Sequence, residues 1–457
     1  MGYRRFAALF TASLLAGCSS LDSMIPTMPD IGLSSVGIGT PAAQPAKTTG
    51  LAVSDEPFAA QAGAAILSQG GSAADAAAAM FFTLSVTYPV AAGLGGGGIC
   101  LVRDARGRTT EFDFLGRAAN SGGAYAVPGA VAGFYDMQKA FGTLPWQRDV
   151  AGAEAYAATG FPVSHVLAQR LAVTQNIIAR DPALAAEFMA AGALKPEGSV
   201  VLNQPLSATL GAIRLGGADG FYSGPVADSM VAASSPGGRP LTQAELSAFR
   251  STQTAARNLR LGEVSAAMPG TATGAGAFIA AVLSNAGGGA PDAAAANGLR
   301  RALDSFHVQS VPPDLGATGF AALDADGQAA ACAVTLNGPF GSGHSADAGL
   351  VLAASPAQPA GISGAFLTPM IVTDSANQVT LAGAGSGGPN GSAAMAYALL
   401  KRASGAGIMR PGDLRSTGLA PFATVNTIAC QNGLCVALPD PGGSGLGSSV
   451  DQPVASN

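Results

Sequence analysis

The sequence predicts an α+β fold, and three observations predict it. Pro57 to Gln69 and Ser72 to Thr87 read as consecutive helices separated by Gly70-Gly71. Phe320 to Leu323 and Ala329 to Leu336 are short apolar runs around the turn signal Asp326-Gly327, so they read as a buried hairpin. Residues 150 to 300 read as mixed helices and short strands with no convincing internal repeat.

Composition sets the outer bounds. The chain has 457 residues, of which 48% are hydrophobic and 11% charged, with 63 Gly, a balance that belongs to a densely packed globular protein. The net charge is -5 without a basic cluster, which argues against a nucleic-acid partner. His165, His307 and His344 are far apart in the sequence and lack metal-ligand spacing, so no metal or other cofactor is expected.

Residues 1–18 read as an export signal. Arg4-Arg5 is the charged start, Phe6 to Leu15 the apolar core, and Leu15-Ala16-Gly17-Cys18 resembles a bacterial lipobox. Cys18 is then the lipidated first residue, and Ser19 points to an outer-membrane address facing the periplasm. The acyl chains would supply the anchor at about 0.8 kcal/mol per buried CH₂. Residues 19–48, rich in Ser, Pro, Thr and Gly, read as a flexible tether ahead of a domain over 49–450. Export also permits disulfides. Asn432-Gly433 as a two-residue turn sets Cys430 opposite Cys435, whereas Cys100 and Cys332, in apolar runs, are expected to be separate buried thiols.

The first helix has Pro57 at its opening turn. The second, with Ala73 to Ala79, Met80, Phe81 and Phe82, is apolar nearly all round and should be buried. Gly93-Leu94-Gly95-Gly96-Gly97-Gly98 then leads into a strand over Ile99 to Arg103. No Lys-Ser/Thr follows the glycines, so close backbone packing explains them better than a phosphate loop.

These motifs resemble the gamma-glutamyltransferase family. The stretch from Ser54 to Ala79 and Gly93 to Val102 is similar to the start of that family's large subunit. Val127-Pro128-Gly129-Ala130-Val131-Ala132-Gly133, Phe141 to Trp146, Gly160 to Ser164, Gly220 to Gly224 and Leu241 to Leu246 match further motifs. Phe320 to Asp324, Gly327, Thr335-Leu336-Asn337 and Phe340-Gly341-Ser342-Gly343 resemble the start of the catalytic small subunit. The resemblance implies a four-layer αββα sandwich of the N-terminal nucleophile type, with a large-subunit-like part over 49–316 and a small-subunit-like part over 317–450. It also implies a gamma-glutamyl or other small amide compound as ligand. No protein partner can be named.

The family's nucleophile is a Thr exposed by self-cleavage, which attacks the amide carbonyl with its own amine as base. Here that place is Ala317, with Thr318 in the next place and Gly319 where the family has His. Residues 308–317 occupy the place of the segment that cleavage frees. Gly387 and Gly388 match the glycine pair whose amides form the family's oxyanion hole, and Thr335 and Asn337 match residues near its nucleophile. The Arg that grips the substrate carboxylate is replaced by Leu115; Arg117, two residues on, reads as a surface residue, with substitution for that Arg as the alternative. Other substrate-holding residues fall on Ala353, Ala354, Ala357, Gln358 and Ala365-Phe366. Two readings follow. Adjacent strand residues point to opposite faces, so Thr318 should miss the place of the missing hydroxyl, which favours a non-cleaving, catalytically degenerate lipoprotein. The alternative is an active hydrolase or transferase with Thr318 as nucleophile after self-cleavage.

Overall fold

The computed structural model describes residues 48–357, 359–405, 422–440 and 445–451. The leader, Cys18, the tether up to residue 47 and Gln358 lie outside the described residues. No helix among the described residues is long and apolar enough to cross a membrane.

The chain enters along β1 (Thr48–Ser54) and turns into α1 (Pro57–Ser68) and α2 (Ala73–Thr87). Glu56 caps α1 by accepting the Ala59 N–H. Ser72 and Asp75 form a reciprocal capping box on α2, every residue of which is buried. β2 (Gly97–Arg103) and β3 (Thr109–Asp113) follow, then α3 (Ala130–Phe141), α4 (Trp146–Thr159) and α5 (His165–Ile178). After further helices and several two-residue strands come β4 (Thr252–Ala255), β5 (Arg257–Leu261), β6 (Val264–Met268), α6 (Gly274–Ser284) and α7 (Pro291–Ser305). The hairpin read from the sequence is β7 (Ala317–Asp324) and β8 (Ala329–Thr335). The chain closes with β9 (Thr368–Thr373), β10 (Val379–Ser386), α8 (Pro389–Ala403), β11 (Thr424–Gln431), β12 (Leu434–Leu438) and β13 (Leu446–Asp451).

The larger strands form two antiparallel sheets. One has seven strands in the order β4-β3-β2-β8-β7-β1-β13, and the other six in the order β5-β6-β9-β10-β11-β12. Side-chain alternation turns them into four layers. Phe320 and Ala322 of β7 join the core that includes α2 and α3, where Phe81 stacks on Phe134 at 4.3 Å. Ala321 and Leu323 face the other way, against Ile371, Ala382 and Ile428 of the second sheet. Beyond that sheet, α6, α7 and α8 cover Met370, Val372 and Val425. The result is an αββα sandwich with β7 and β8 at the centre of the first sheet.

The glycine run before Ile99 belongs partly to the strand, which begins at Gly97 rather than at Ile99. A Cβ on Gly97 would lie 2.3 Å from the Gly116 nitrogen, so only glycine lets β2 approach its neighbour there.

Cys430 and Cys435 lie directly opposite across the β11–β12 turn, where Asn432 and Gly433 have φ 53 and 79, and they form a disulfide. Cys100 and Cys332 are not separate thiols. β2 and β8 pair with Cys100 opposite Cys332, and the two are bonded. A register between strands so distant in sequence leaves no local signal. Closing a loop between residues 232 apart restrains the unfolded chain strongly, by about 2–5 kcal/mol for native disulfides in general.

Candidate active site at the head of the central hairpin

Ala317 opens β7 opposite Thr335 of β8 and is 1% exposed. Its methyl group packs in a small apolar cluster with Ile99, Ala275, Ala333, Leu367 and Ala384, with Leu115 against the edge. Gly319, two residues on, faces the second sheet so closely that a Cβ would lie 2.8 Å from the Ala384 carbonyl oxygen. A histidine has no room there.

Thr318 is fully buried, and its Oγ1 donates to Asp55 at 2.7 Å. Asp55 follows β1 and gathers two more donors: Thr424 Oγ1 at 2.8 Å and Asn426 Nδ2 at 2.7 Å. Asn426 Nδ2 also reaches the Gly319 carbonyl at 2.8 Å, which ties β11 to the head of β7. Burial pushes the Asp55 carboxyl above its usual range, and the bonds from Asn426, Thr318 and Thr424 pull it partly back. The hydroxyl of Thr318 is therefore one of three donors converging on one buried acid.

The peptide ahead of Ala317 is held from both sides. The Gly316 carbonyl accepts from the Leu336 N–H at 3.0 Å and from Thr335 Oγ1 at 2.9 Å. Thr335 Oγ1 also lies 2.7 Å from Ser363 Oγ and accepts the Asn337 N–H at 2.9 Å. Asn337, at φ 57, donates Nδ2 to the Ala354 carbonyl at 2.9 Å. Upstream, Asp314 accepts the Gly316 N–H at 2.8 Å and pairs with the buried Arg170 of α5. Arg170 also lies over the Tyr88 and Phe422 rings, 5.3 Å and 5.1 Å from their centroids. Residues 314–316 belong to no helix or strand, and these bonds fix them in place.

Gly387 and Gly388, at φ 77 and 142, lead into α8, whose first residue is Pro389. Gly387 packs against the Phe422 carbonyl so closely that a Cβ would lie 2.1 Å away. A Cβ on Gly388 would lie 3.9 Å from Leu315, so the pair sits near the segment that enters β7.

Arg117 does not join this group. It is exposed, lies 4.6 Å from the Phe249 ring centroid and donates to the Arg250 carbonyl at 2.8 Å. Two-residue periodicity fails here because β3 ends at Asp113 and Arg117 belongs to a separate two-residue strand paired with Val127. Leu115 is the residue beside Ala317. Ala353 packs with Leu336 and Ala126, and Phe366 sets its ring edge against Phe278 at 4.8 Å. Asp55, Thr424, Asn426, Ser363 and the Arg170–Asp314 pair were not found from the sequence. Asp55 lies within a stretch that resembles the family, but nothing local shows that it binds Thr318.

The gamma-glutamyltranspeptidase family model matches residues 59–310, more than half of the chain. The chain belongs to the gamma-glutamyltranspeptidase family. It is 31% identical over 214 residues to a glutathione hydrolase of Aspergillus flavus, covering 44% of this chain and 36% of that one. It is 29% identical over 265 residues to the glutathione hydrolase proenzyme of Escherichia coli, covering 53% and 45%. The matched part thus spans less than half the length of these gamma-glutamyltranspeptidase-family relatives. Among solved structures, the gamma-glutamyltranspeptidase of Helicobacter pylori superposes with TM-score 0.52 at 25% identity, covering 58% of this chain and 87% of that chain. The cephalosporin acylase of Bacillus halodurans superposes with TM-score 0.70 at 17% identity over 92% of this chain and 99% of that chain, which shows the shared fold.

Proposed function

We propose that this chain is a catalytically silent gamma-glutamyltranspeptidase-family protein, held in the bacterial envelope by a lipid on Cys18. The observation that carries the reading is what the adjacent Ala317 and Thr318 each touch. The methyl group of the first packs in an apolar cluster, and the buried Asp55 engages the hydroxyl of the second. An N-terminal nucleophile needs a hydroxyl at the reacting carbon and a free amine beside it as base. Ala317 supplies no hydroxyl, and Thr318 lies within the β7–β8 ladder opposite Val334. The glycine pair ahead of α8 then has no nucleophile to work with. Loss of the carboxylate-gripping Arg, with Leu115 in its place, removes orientation of a glutamyl head as well.

Turnover tests this reading. Purified mature protein is expected to release chromophore from a gamma-glutamyl anilide no faster than its Thr318→Ala variant. Turnover that Thr318→Ala abolishes would sink it. The anchor has its own test: Cys18→Ser should move the protein from the membrane fraction to the soluble fraction, and unchanged partitioning would refute lipidation.

A further inference from the structure

Arg103 ends β2 at the far end of the strand from Ala317. Gly97 pairs with Thr335 beside the strand head, and Arg103 pairs with Ala329 at the other end, roughly 20 Å away at about 3.3 Å per residue. The residue is 6% exposed, and its Nε is sealed from solvent without a hydrogen-bond partner, so only its Nη groups can face a neighbouring cavity. Nη2 donates to the Asn377 carbonyl, and Nη1 lies 3.4 Å from the Asp104 carbonyl. No carboxylate among the described residues forms an ion pair with it. The neighbouring Asp104 carboxylate is committed to Arg108 at 2.9 Å and to the Arg106 and Arg108 N–H groups. Burial pulls the Arg103 guanidinium down from its usual value.

Buried charges are ordinarily paired, because removing an ion from water costs several kcal/mol. Arg103 instead lines a polar cavity of about 280 Å³ between the ends of the two sheets. Thr109, Ser265 and Thr373 bring hydroxyl-bearing side chains to its lining, and the exposed Arg260 adds a second guanidinium. Two acids also line it. Asp374 accepts the Gln378 N–H at 2.8 Å within its own turn, and Glu263 is exposed to water on the β5–β6 turn.

We propose that this cavity is an anion site for a small oxyanion such as phosphate, free or as a phosphomonoester, with Arg103 as its buried counter-charge. Each Nη of Arg103 keeps a second N–H beyond the one given to a carbonyl, the Arg260 guanidinium adds further donors for such an oxyanion, and hydroxyl side chains add neutral ones. The site is separate from the strand head, and it stands or falls independently of whether the chain is catalytic.

The test uses the full mature chain in chloride buffer at constant ionic strength. Orthophosphate is titrated by calorimetry, with thermal unfolding followed in parallel, and a simple phosphomonoester forms a second arm. Wild type should bind orthophosphate and unfold at a higher temperature with it. A response to the ester alone would place the recognition on its organic part and overturn the proposal. Arg260→Gln should weaken binding several-fold, and Arg103→Met should abolish it. Thr109→Glu places a carboxylate directly opposite Arg103 across the β2–β3 pair, so it covers the case in which Arg103→Met fails to fold. It should raise the unfolding temperature without phosphate and remove the phosphate response. If Arg103 merely braces the Asn377 turn, wild type shows no phosphate effect beyond the chloride control, or Thr109→Glu keeps the full response. Either result overturns the proposal.

Discussion

Asp55→Ala is expected to destabilise the protein by roughly 3–5 kcal/mol, among the largest effects of any single substitution outside the apolar cores. The reason is the count of donors it abandons. Thr318 Oγ1, Thr424 Oγ1 and Asn426 Nδ2 all point at one fully buried carboxyl. Each buried donor left unpaired costs about 1–3 kcal/mol, partly relieved by relaxation. The loss should appear as a lower urea midpoint with an unchanged slope. Thr318→Val removes one of the three and should cost about 1.5–3 kcal/mol. In a double-mutant cycle the two changes should couple, because they share a partner. Additive effects would mean that Thr318 does not depend on Asp55, and its hydroxyl would then need another role.

A second large effect comes from two acids far from that site. Asp149 of α4 is buried, neither of its oxygens has a hydrogen-bond donor, and burial with Asp75 beside it pushes its carboxyl up to about 9. Asp75 caps α2 and accepts from Thr143 and Leu144 through Oδ2, while its Oδ1 accepts only from Gln138 among the described residues. Protonated, Asp149 can give its hydrogen to Asp75. The folded chain therefore keeps a proton that the unfolded chain, with a carboxyl near 3.8, releases. Its contribution to stability is full below that lower value and is lost as pH rises toward about 9. The slope is about 1.4 kcal/mol per pH unit at most. Asp149→Asn supplies a permanent donor of the same shape. It should match wild type in acid and exceed it by roughly 2 kcal/mol or more near pH 8. Glu56 and Glu187, also raised by burial, titrate in both proteins, so the difference between the two pH profiles isolates Asp149. Parallel profiles in urea unfolding would remove Asp149 from the account.

The elements of this fold were legible because their patterns are local. The Ala-rich α2, its Ser72 start and the Asp326-Gly327 turn each announce themselves within a few residues. So does the Cys430–Cys435 hairpin. What escaped was long-range. Cys100 meets Cys332 only because β2 and β8 pair in one register. Asp55 meets Thr318, Thr424 and Asn426 only where three strands from separate parts of the chain converge. Arg117 lies at the surface, as its favoured reading had it: even spacing implies one face only while a strand continues, and β3 does not continue. At the strand head, the sequence supplied the identities of Ala317, Thr318 and Leu115. The closeness of Gly319 to Ala384 and the clamp of Arg170 on Asp314 needed the packed structure.

The intact mass of purified mature protein, taken after prolonged incubation at neutral pH, decides between a silent and a self-processing chain. A single unbroken polypeptide is predicted, with no new amino terminus near Ala317, because no hydroxyl faces the Gly316–Ala317 peptide from residue 317. Two fragments, with Ala317 or Thr318 sequenced as the start of the smaller one, would contradict it.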